Sequence, residues 1–256
     1  MFGYIQNTPD SRDLTVGVHL DQEVGLPTDL PDYSDLRDFE HPVLNQKSTS
    51  SCVAHAAAQV LYGTLNVQGI VLPEIPSVMW LYRKSREQES RTNLDQGTTP
   101  RAMMQGIQKC GFCLEQYWPF NAGEVLIGPT ALAGKHAYDQ RLKTQYYVCS
   151  EDQKQRLLDI KRTIVSKRPL MLAFSLDQAF LEGKFSVWEL TGPVIGRHML
   201  ACFGYTPDGI IITNSWGPYW NTQGHAIIGW ETVLRADVCT DPTVLNVVPA
   251  PTEMVA

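Results

Sequence analysis

Asn45-Gln46-Lys47-Ser48-Thr49-Ser50-Ser51-Cys52-Val53-Ala54-His55-Ala56-Ala57 is the stretch on which the reading of this chain turns. Hydroxyl residues and a cysteine lead into an alanine-rich run. Val53, Ala56, Ala57, Val60 and Thr64 recur near helical spacing, which predicts a helix opening at Cys52. Ser50 or Ser51 is placed to cap its first turn. A thiol there feels the positive end of the helix field, which favours thiolate and makes the sulfur nucleophilic. Taken alone, Cys52 reads as a small buried hydrophobe, the usual state of an intracellular cysteine.

The far end of the chain changes that reading. It carries Gly196-Arg197-His198-Met199-Leu200, then Ile210-Ile211-Ile212-Thr213-Asn214-Ser215-Trp216-Gly217-Pro218-Tyr219-Trp220. An early cysteine, then a histidine and an asparagine on separate late strands, is what thiol proteolysis needs. The histidine takes the proton from sulfur and the amide holds the ring in one tautomer. Gln46, six residues before Cys52, is close enough to aim an amide N–H at a developing oxyanion. Here the sequence resembles the papain-like cysteine peptidases. Their pattern Gln-x-x-x-x-x-Cys, then His, then Asn-Ser-Trp-Gly-x-x-Trp is matched at Gln46, Cys52, His198, Asn214, Ser215, Trp216, Gly217 and Trp220.

The resemblance implies a two-lobed α+β fold, with a helical lobe at about 45–120, a β-rich lobe at about 140–240 and the site in the cleft between them. It also implies a division into an N-terminal leader, residues 1–35, and a peptidase segment, residues 36–256. Leaders in this family commonly lie along the cleft and silence the enzyme, so residues 1–35 are expected to partly obstruct the substrate path. Gly97 stands where family members offer backbone hydrogen bonds to substrate. By position Ala173, Gly196 and Met199 would line the pocket for the second residue before the cut, with a small to medium apolar preference. Trp216, with Trp220, would shield the His198–Asn214 bond from water.

Departures are visible too. Secreted members carry a cysteine three residues before the nucleophile, bridged downstream; Thr49 stands there, which favours a reducing compartment. Val53 replaces the usual tryptophan, and Arg197 stands beside the histidine. His55 and His225 are rivals for the base, but neither has an asparagine in motif. His55 sits where the family has a core aromatic, so it is read as packed and hydrogen-bonded.

Bulk properties agree with an ordinary globular protein. The chain has 256 residues, 43% hydrophobic and 19% charged, enough for a real core. A net charge of −6 without a basic cluster argues against a nucleic-acid partner. No apolar run approaches the ~20 residues of a membrane span, and Met1-Phe2-Gly3-Tyr4 opens no secretory signal. The expected location is the cytosol, or outside by a signal-independent route. Cys110-Gly111-Phe112-Cys113 is a lone C-x-x-C without partner ligands, so neither a metal nor another cofactor is expected.

Residues 1–35, rich in Asp, Pro and Gly, should have little regular structure. Helices are expected at 76–89, from Thr99-Pro100 to Gly111, and over 150–166. Strands are expected at 170–174, 198–203, 210–213 and 225–228. Residues 121–150 show little organisation. The expected activity is a cysteine endopeptidase acting on peptides or proteins through a thioester; the alternative is a non-proteolytic relative, an acyltransferase, transpeptidase or binding module on the same scaffold.

Overall fold

A computed structural model describes residues 2–248; Met1 and residues 249–256, the end of the expected peptidase segment, lie outside the described residues. Four short or long helices form the first half: α1 (Asp21–Val24), α2 (Cys52–Val67), α3 (Val78–Gln88) and α4 (Pro100–Cys110). Their starts follow from capping. Ser77 Oγ accepts from Trp80 N at 3.2 Å, and Thr99 Oγ1 accepts from Ala102 N at 3.1 Å with Pro100 in the first turn. Helix α2 is buried almost all round, its Val53, Ala57, Val60 and Leu61 fully so, which explains a sequence without a polar stripe.

The rest is a sheet with helices on it. Strand β1 (Ser34–Asp35) precedes α2. After α4 come α5 (Ala131–Asp139), β2 (Lys143–Val148), α6 (Gln153–Val165), β3 (Leu170–Leu176), α7 (Gln178–Glu182), β4 (Val187–Trp188), β5 (Gly196–Tyr205), β6 (Gly209–Thr213), β7 (His225–Gly229), α8 (Trp230–Leu234) and β8 (Cys239–Val248). The sheet runs β2-β8-β3-β5-β6-β7-β4, with β1 on β5; all pairs are antiparallel except β4 with β7. This is the α+β architecture expected, helices first and strands later. Central β3 and β6 are buried at every position, so they read as unbroken apolar runs.

Besides the short α1, β1, α7, β4 and α8, three longer elements escaped the sequence reading. Strand β2 is an edge strand of mixed polarity, and α5 is a short helix with Gly134 inside it. Strand β8 carries Pro242 beside Asp241 at φ 48°, with a register shift against β3 between Met171 and Ala173. Proline and a left-handed residue argue against a strand until a bulge accommodates them.

The N-terminal segment is more ordered than its composition suggested. Thr15 bridges to Val148, Val16–Leu20 form a π-helical turn, and Val16, Leu20 and Leu26 join the core. Arg101 pairs with Asp13 at 2.6 Å and Arg162 with Asp21 at 2.8 Å. The six cysteines are free. Among the described residues no helix is long and apolar enough to cross a membrane, and no group of His, Cys, Asp or Glu is arranged to hold a metal ion.

Candidate active site

Cys52 opens α2 as expected, but the serines before it do not cap the helix. Ser51 stands at the cap position with no side-chain cap bond; its Oγ meets Thr49 Oγ1 at 2.6 Å and His55 Nδ1 at 3.1 Å. Ser50 turns away to Asp95. Buried hydroxyls took stronger or nearer partners than the helix end. Cys52 is fully buried, and burial pushes its thiol up. Backbone N–H groups of Met199, Gly3 and Val53 face the sulfur and pull the other way without overcoming burial. In this covered arrangement burial works against the helix terminus at the sulfur.

Gln46 is part of the same turn. Its Nε2 donates to Thr49 O at 2.8 Å, its Oε1 accepts from Ser215 Oγ at 2.7 Å, and its backbone N–H donates to Ser215 O at 2.8 Å. Asn45 bridges to Trp216, and Gly217 N donates to Leu44 O at 2.9 Å. The turn before the cysteine and the loop after β6 are thus one unit.

His198 lies on β5 opposite Phe174 of β3 and is fully buried. Its Nε2 is 2.9 Å from Asn214 Oδ1. An amide oxygen only accepts, so Nε2 carries the proton and donates. In the neutral ring this leaves Nδ1 as a lone pair, and Nδ1 is buried with no hydrogen-bond partner among the described residues. Burial holds the ring neutral by lowering its pKa to about 3, against the opposing Asn214 bond. Asn214 Oδ1 also accepts Ser215 N at 2.7 Å, and its backbone N–H donates to Gly224 O at 2.9 Å. The Trp216 ring lies tilted against His198 with centroids 4.8 Å apart, and Trp220 meets Trp216 edge-on at 5.6 Å.

The two rival histidines are otherwise engaged. His55 is buried with its Nδ1 3.0 Å from Ser51 O, its edge against Phe120 at 4.9 Å and its pKa lowered by burial to about 4. His225 Nε2 meets Glu40 Oε1 at 2.5 Å, and Thr213 Oγ1 donates to Glu40 Oε2 at 2.6 Å.

The N-terminal segment runs over these groups. Phe2 meets His198 edge-on at 6.4 Å and lies on Gly196 so closely that a Cβ there would fall 2.2 Å from the ring. Gly3 packs on Ser50 and Gly97; a Cβ on Gly97 would lie 1.9 Å from Gly3 O, and Gly97 adopts φ 85°. Gly97 N donates inward to Tyr82 Oη at 3.0 Å, so it is Thr98 whose N–H reaches Gly3 O at 3.1 Å and whose carbonyl accepts Ile5 N at 3.2 Å. Met199 and Ala173 are buried register partners, and Ala173 also faces Thr240. Thr240 is where the Tyr4 hydroxyl ends, 2.7 Å from Thr240 Oγ1 and donating to Asp241 Oδ2 at 2.7 Å. Polar groups of Thr240 and Asp241 therefore lie next to Ala173 in the sheet. Thr98, Thr240 and Asp241 belong to no motif and were missed. Arg197 is exposed and donates to Gln6 Oε1 at 2.5 Å.

The sequence matches the model of the papain family cysteine proteases over residues 30–240. The chain belongs to the papain family. An uncharacterized peptidase C1-like protein of Acanthamoeba polyphaga mimivirus is 23% identical to this papain-family chain, over 98% of it and 88% of the viral protein. Among solved structures, xylellain, a cysteine protease from Xylella fastidiosa, superposes with a TM-score of 0.85 at 22% identity, covering 97% of this chain and 96% of that one. A recombinant stem bromelain precursor gives a TM-score of 0.68 at 19% identity over 96% of this chain and 76% of its own. These likenesses show the papain fold.

Proposed function

We propose that this chain is a cysteine endopeptidase acting on peptide or protein substrates. The observation that carries this reading is the buried His198, tied through Nε2 to Asn214 and left with a bare Nδ1 lone pair, on the strand whose Met199 N–H faces the Cys52 sulfur. In this reading Nδ1 takes the thiol proton as sulfur attacks the scissile carbonyl, and returns it to the leaving amine; water then hydrolyses the thioester. Asn214 keeps the ring in the one tautomer that leaves Nδ1 bare. The Cys52 N–H and the Gln46 amide face the developing oxyanion. Trp216 covers the His198–Asn214 bond.

Substrate backbone would ladder on Thr98 as Gly3–Ile5 do here, with Gly97, Gly196 and Met199 forming the walls and Ala173, Thr240 and Asp241 the floor of a side-chain pocket. The segment continues past Ile5 along the body, where Asn7 and Thr8 meet Asp241 and Arg101, a course that fits an extended chain and cleavage within chains. We read residues 1–35 as a leader that holds the enzyme closed: it keeps both reacting groups dry, neutral and covered. The bromelain likeness is to a precursor and extends over 96% of this chain, which supports that reading.

The test is a peptidyl epoxide at limiting concentration and neutral pH, followed by peptide mapping. Cys52 is expected to take the label before the other five thiols, and Cys52→Ala to lower peptide hydrolysis by about 10⁶-fold. Label on Cys110 or Cys113 first would overturn the assignment.

A further inference from the structure

Ser50 and Gly97 come from distant parts of the chain, and both are held through one carboxylate. Asp95 accepts the Ser50 N–H on Oδ1 at 3.0 Å and Oδ2 at 3.1 Å, and Ser50 Oγ donates to the Asp95 carbonyl at 2.9 Å. The Tyr82 hydroxyl donates to Asp95 Oδ1 at 2.6 Å and accepts the Gly97 N–H at 3.0 Å. Behind it, the Arg86 guanidinium lies 4.0 Å over the Tyr82 ring, fully buried, and donates to the carbonyls of Tyr82, Leu94 and Val125. The relay Ser50–Asp95–Tyr82–Gly97 thus runs from the turn before Cys52 to the segment on which an extended chain ladders.

We propose that Asp95 is a positioning residue that fixes the Cys52 turn against the extended Gly97–Thr98 segment, a non-covalent clamp in a chain whose Thr49 offers no thiol for a bridge at that turn. The physical case is that neither segment is fixed by its own secondary structure. Residues 45–51 lack regular structure, Ser50 and Ser51 leave the helix uncapped, and residues 91–98 hold only a turn at 92–93 and an isolated bridge at Thr98. A carboxylate that takes a backbone N–H and a hydroxyl at once makes charge-assisted bonds, which are shorter and stronger than neutral ones. Tyr82 is the right intermediary, because a phenol donates to the carboxylate and still accepts from Gly97. Gln46 and Ser215 secure the far side of the same turn, so Asp95 controls only how it sits against the Gly97–Thr98 segment.

The proposal rests on the peptidase reading for its kinetic consequence, but not for its structural one. In the full-length chain, Asp95→Asn keeps the size of the side chain but removes its charge and turns one of the two acceptor oxygens into a donor among the Ser50 N–H and Tyr82 O–H donors. Three readouts are compared. Amide exchange by mass spectrometry is expected to speed up in residues 48–53 and 96–99 together. Alkylation of Cys52 by iodoacetamide, which forms no oxyanion, should stay within about twofold. The kcat for a peptide should fall about 10- to 100-fold, as for other sub-ångström to ångström misplacements, with KM little changed. Tyr82→Phe should loosen 96–99 with a smaller change in kcat, and Asp95→Glu should recover part of the loss. Exchange confined to residues 91–97 with kcat unchanged would overturn the clamp. So would kcat and alkylation falling in parallel with thermal stability, which marks general destabilisation; Tyr82→Phe then decides if Asp95→Asn does not fold. Wild-type protein without peptide hydrolysis would sink the peptidase reading, while the exchange result would still judge the clamp.

Discussion

The two walls of the cleft are built by different means. On the sheet wall, His198 and Asn214 come from β5 and the end of β6, and a backbone ladder sets their spacing: Ala201 pairs with Thr213 and Cys202 with Ile212. On the helix wall, Cys52, Ser50 and Thr98 come from a helix start and two irregular segments, and side-chain bonds through Asp95, Tyr82 and Gln46 set theirs. A ladder spreads the job over many bonds of about 1 kcal/mol each, whereas a clamp concentrates it in a few. Single substitutions should therefore be absorbed by the sheet wall except at the reacting groups, and felt on the helix wall at residues that touch no substrate.

The largest expected effect lies within the sheet wall. His198→Ala should abolish peptide hydrolysis as fully as loss of the thiol, about 10⁶-fold, because it removes the base itself. Asn214→Ala should leave an activity roughly two orders of magnitude higher, because an orienter costs less to lose than the group it orients. Steady-state rates on folded variants decide it, and equal loss in both would mean that Asn214 does more than orient.

The next effect concerns what covers both walls. Because Val16, Leu20 and Leu26 are core residues, removing all of residues 1–35 would cost stability. Removal of residues 1–8 alone takes away Phe2, Gly3 and Tyr4 and spares that core. Turnover of a short peptide should rise at least about fivefold, a change of about 1 kcal/mol in the cost of clearing the groove, with Cys52 still the labelled thiol. A folded, truncated chain no more active than the parent would make the segment a structural strap.

The smallest effect is on pH dependence, and it again compares the walls. Each buries a neutral histidine, His198 with pKa about 3 and His55 with pKa about 4. Both lie below the ordinary value near 6.5, so the unfolded chain binds more protons than the folded one between these limits. Stability is thus complete above about pH 6.5 and is lost as pH falls toward 3–4. Chemical-denaturation midpoints at pH 7, 5.5 and 4.5 should fall less steeply in His55→Gln and in His198→Gln than in the parent. The 1–8 deletion should flatten the slope through His198 only, since uncovering the sheet wall lets that ring charge in the folded state. An unchanged slope in all three would show that other groups govern the acid limb.

What could be read without coordinates was whatever local chemistry repeats at fixed spacing. Cys52 at a helix start, His198 and Asn214 on late strands, Gln46 and the tryptophans of Asn214–Trp220 are tied to their neighbours by periodicity or motif, and their elements lie where expected. Four things needed the fold. The serines before Cys52 look like caps in sequence, but Asp95 and His55 reach them first. At Cys52 burial opposes the helix N-terminus, and burial is set by segments remote in sequence, among them those of Met199 and Gly3 that reach the sulfur. The strand contact assigned to Gly97 falls to Thr98 because Tyr82, on a helix before it, claims the Gly97 N–H. Strand β8 hides behind Pro242, yet carries the Thr240 and Asp241 that meet Tyr4. Apart from His55, one helical turn from Ser51, the deciding partners lie outside the local stretch. Short-range preferences among backbone and side chain are written locally, while desolvation and competition for a donor are settled only when distant segments come together.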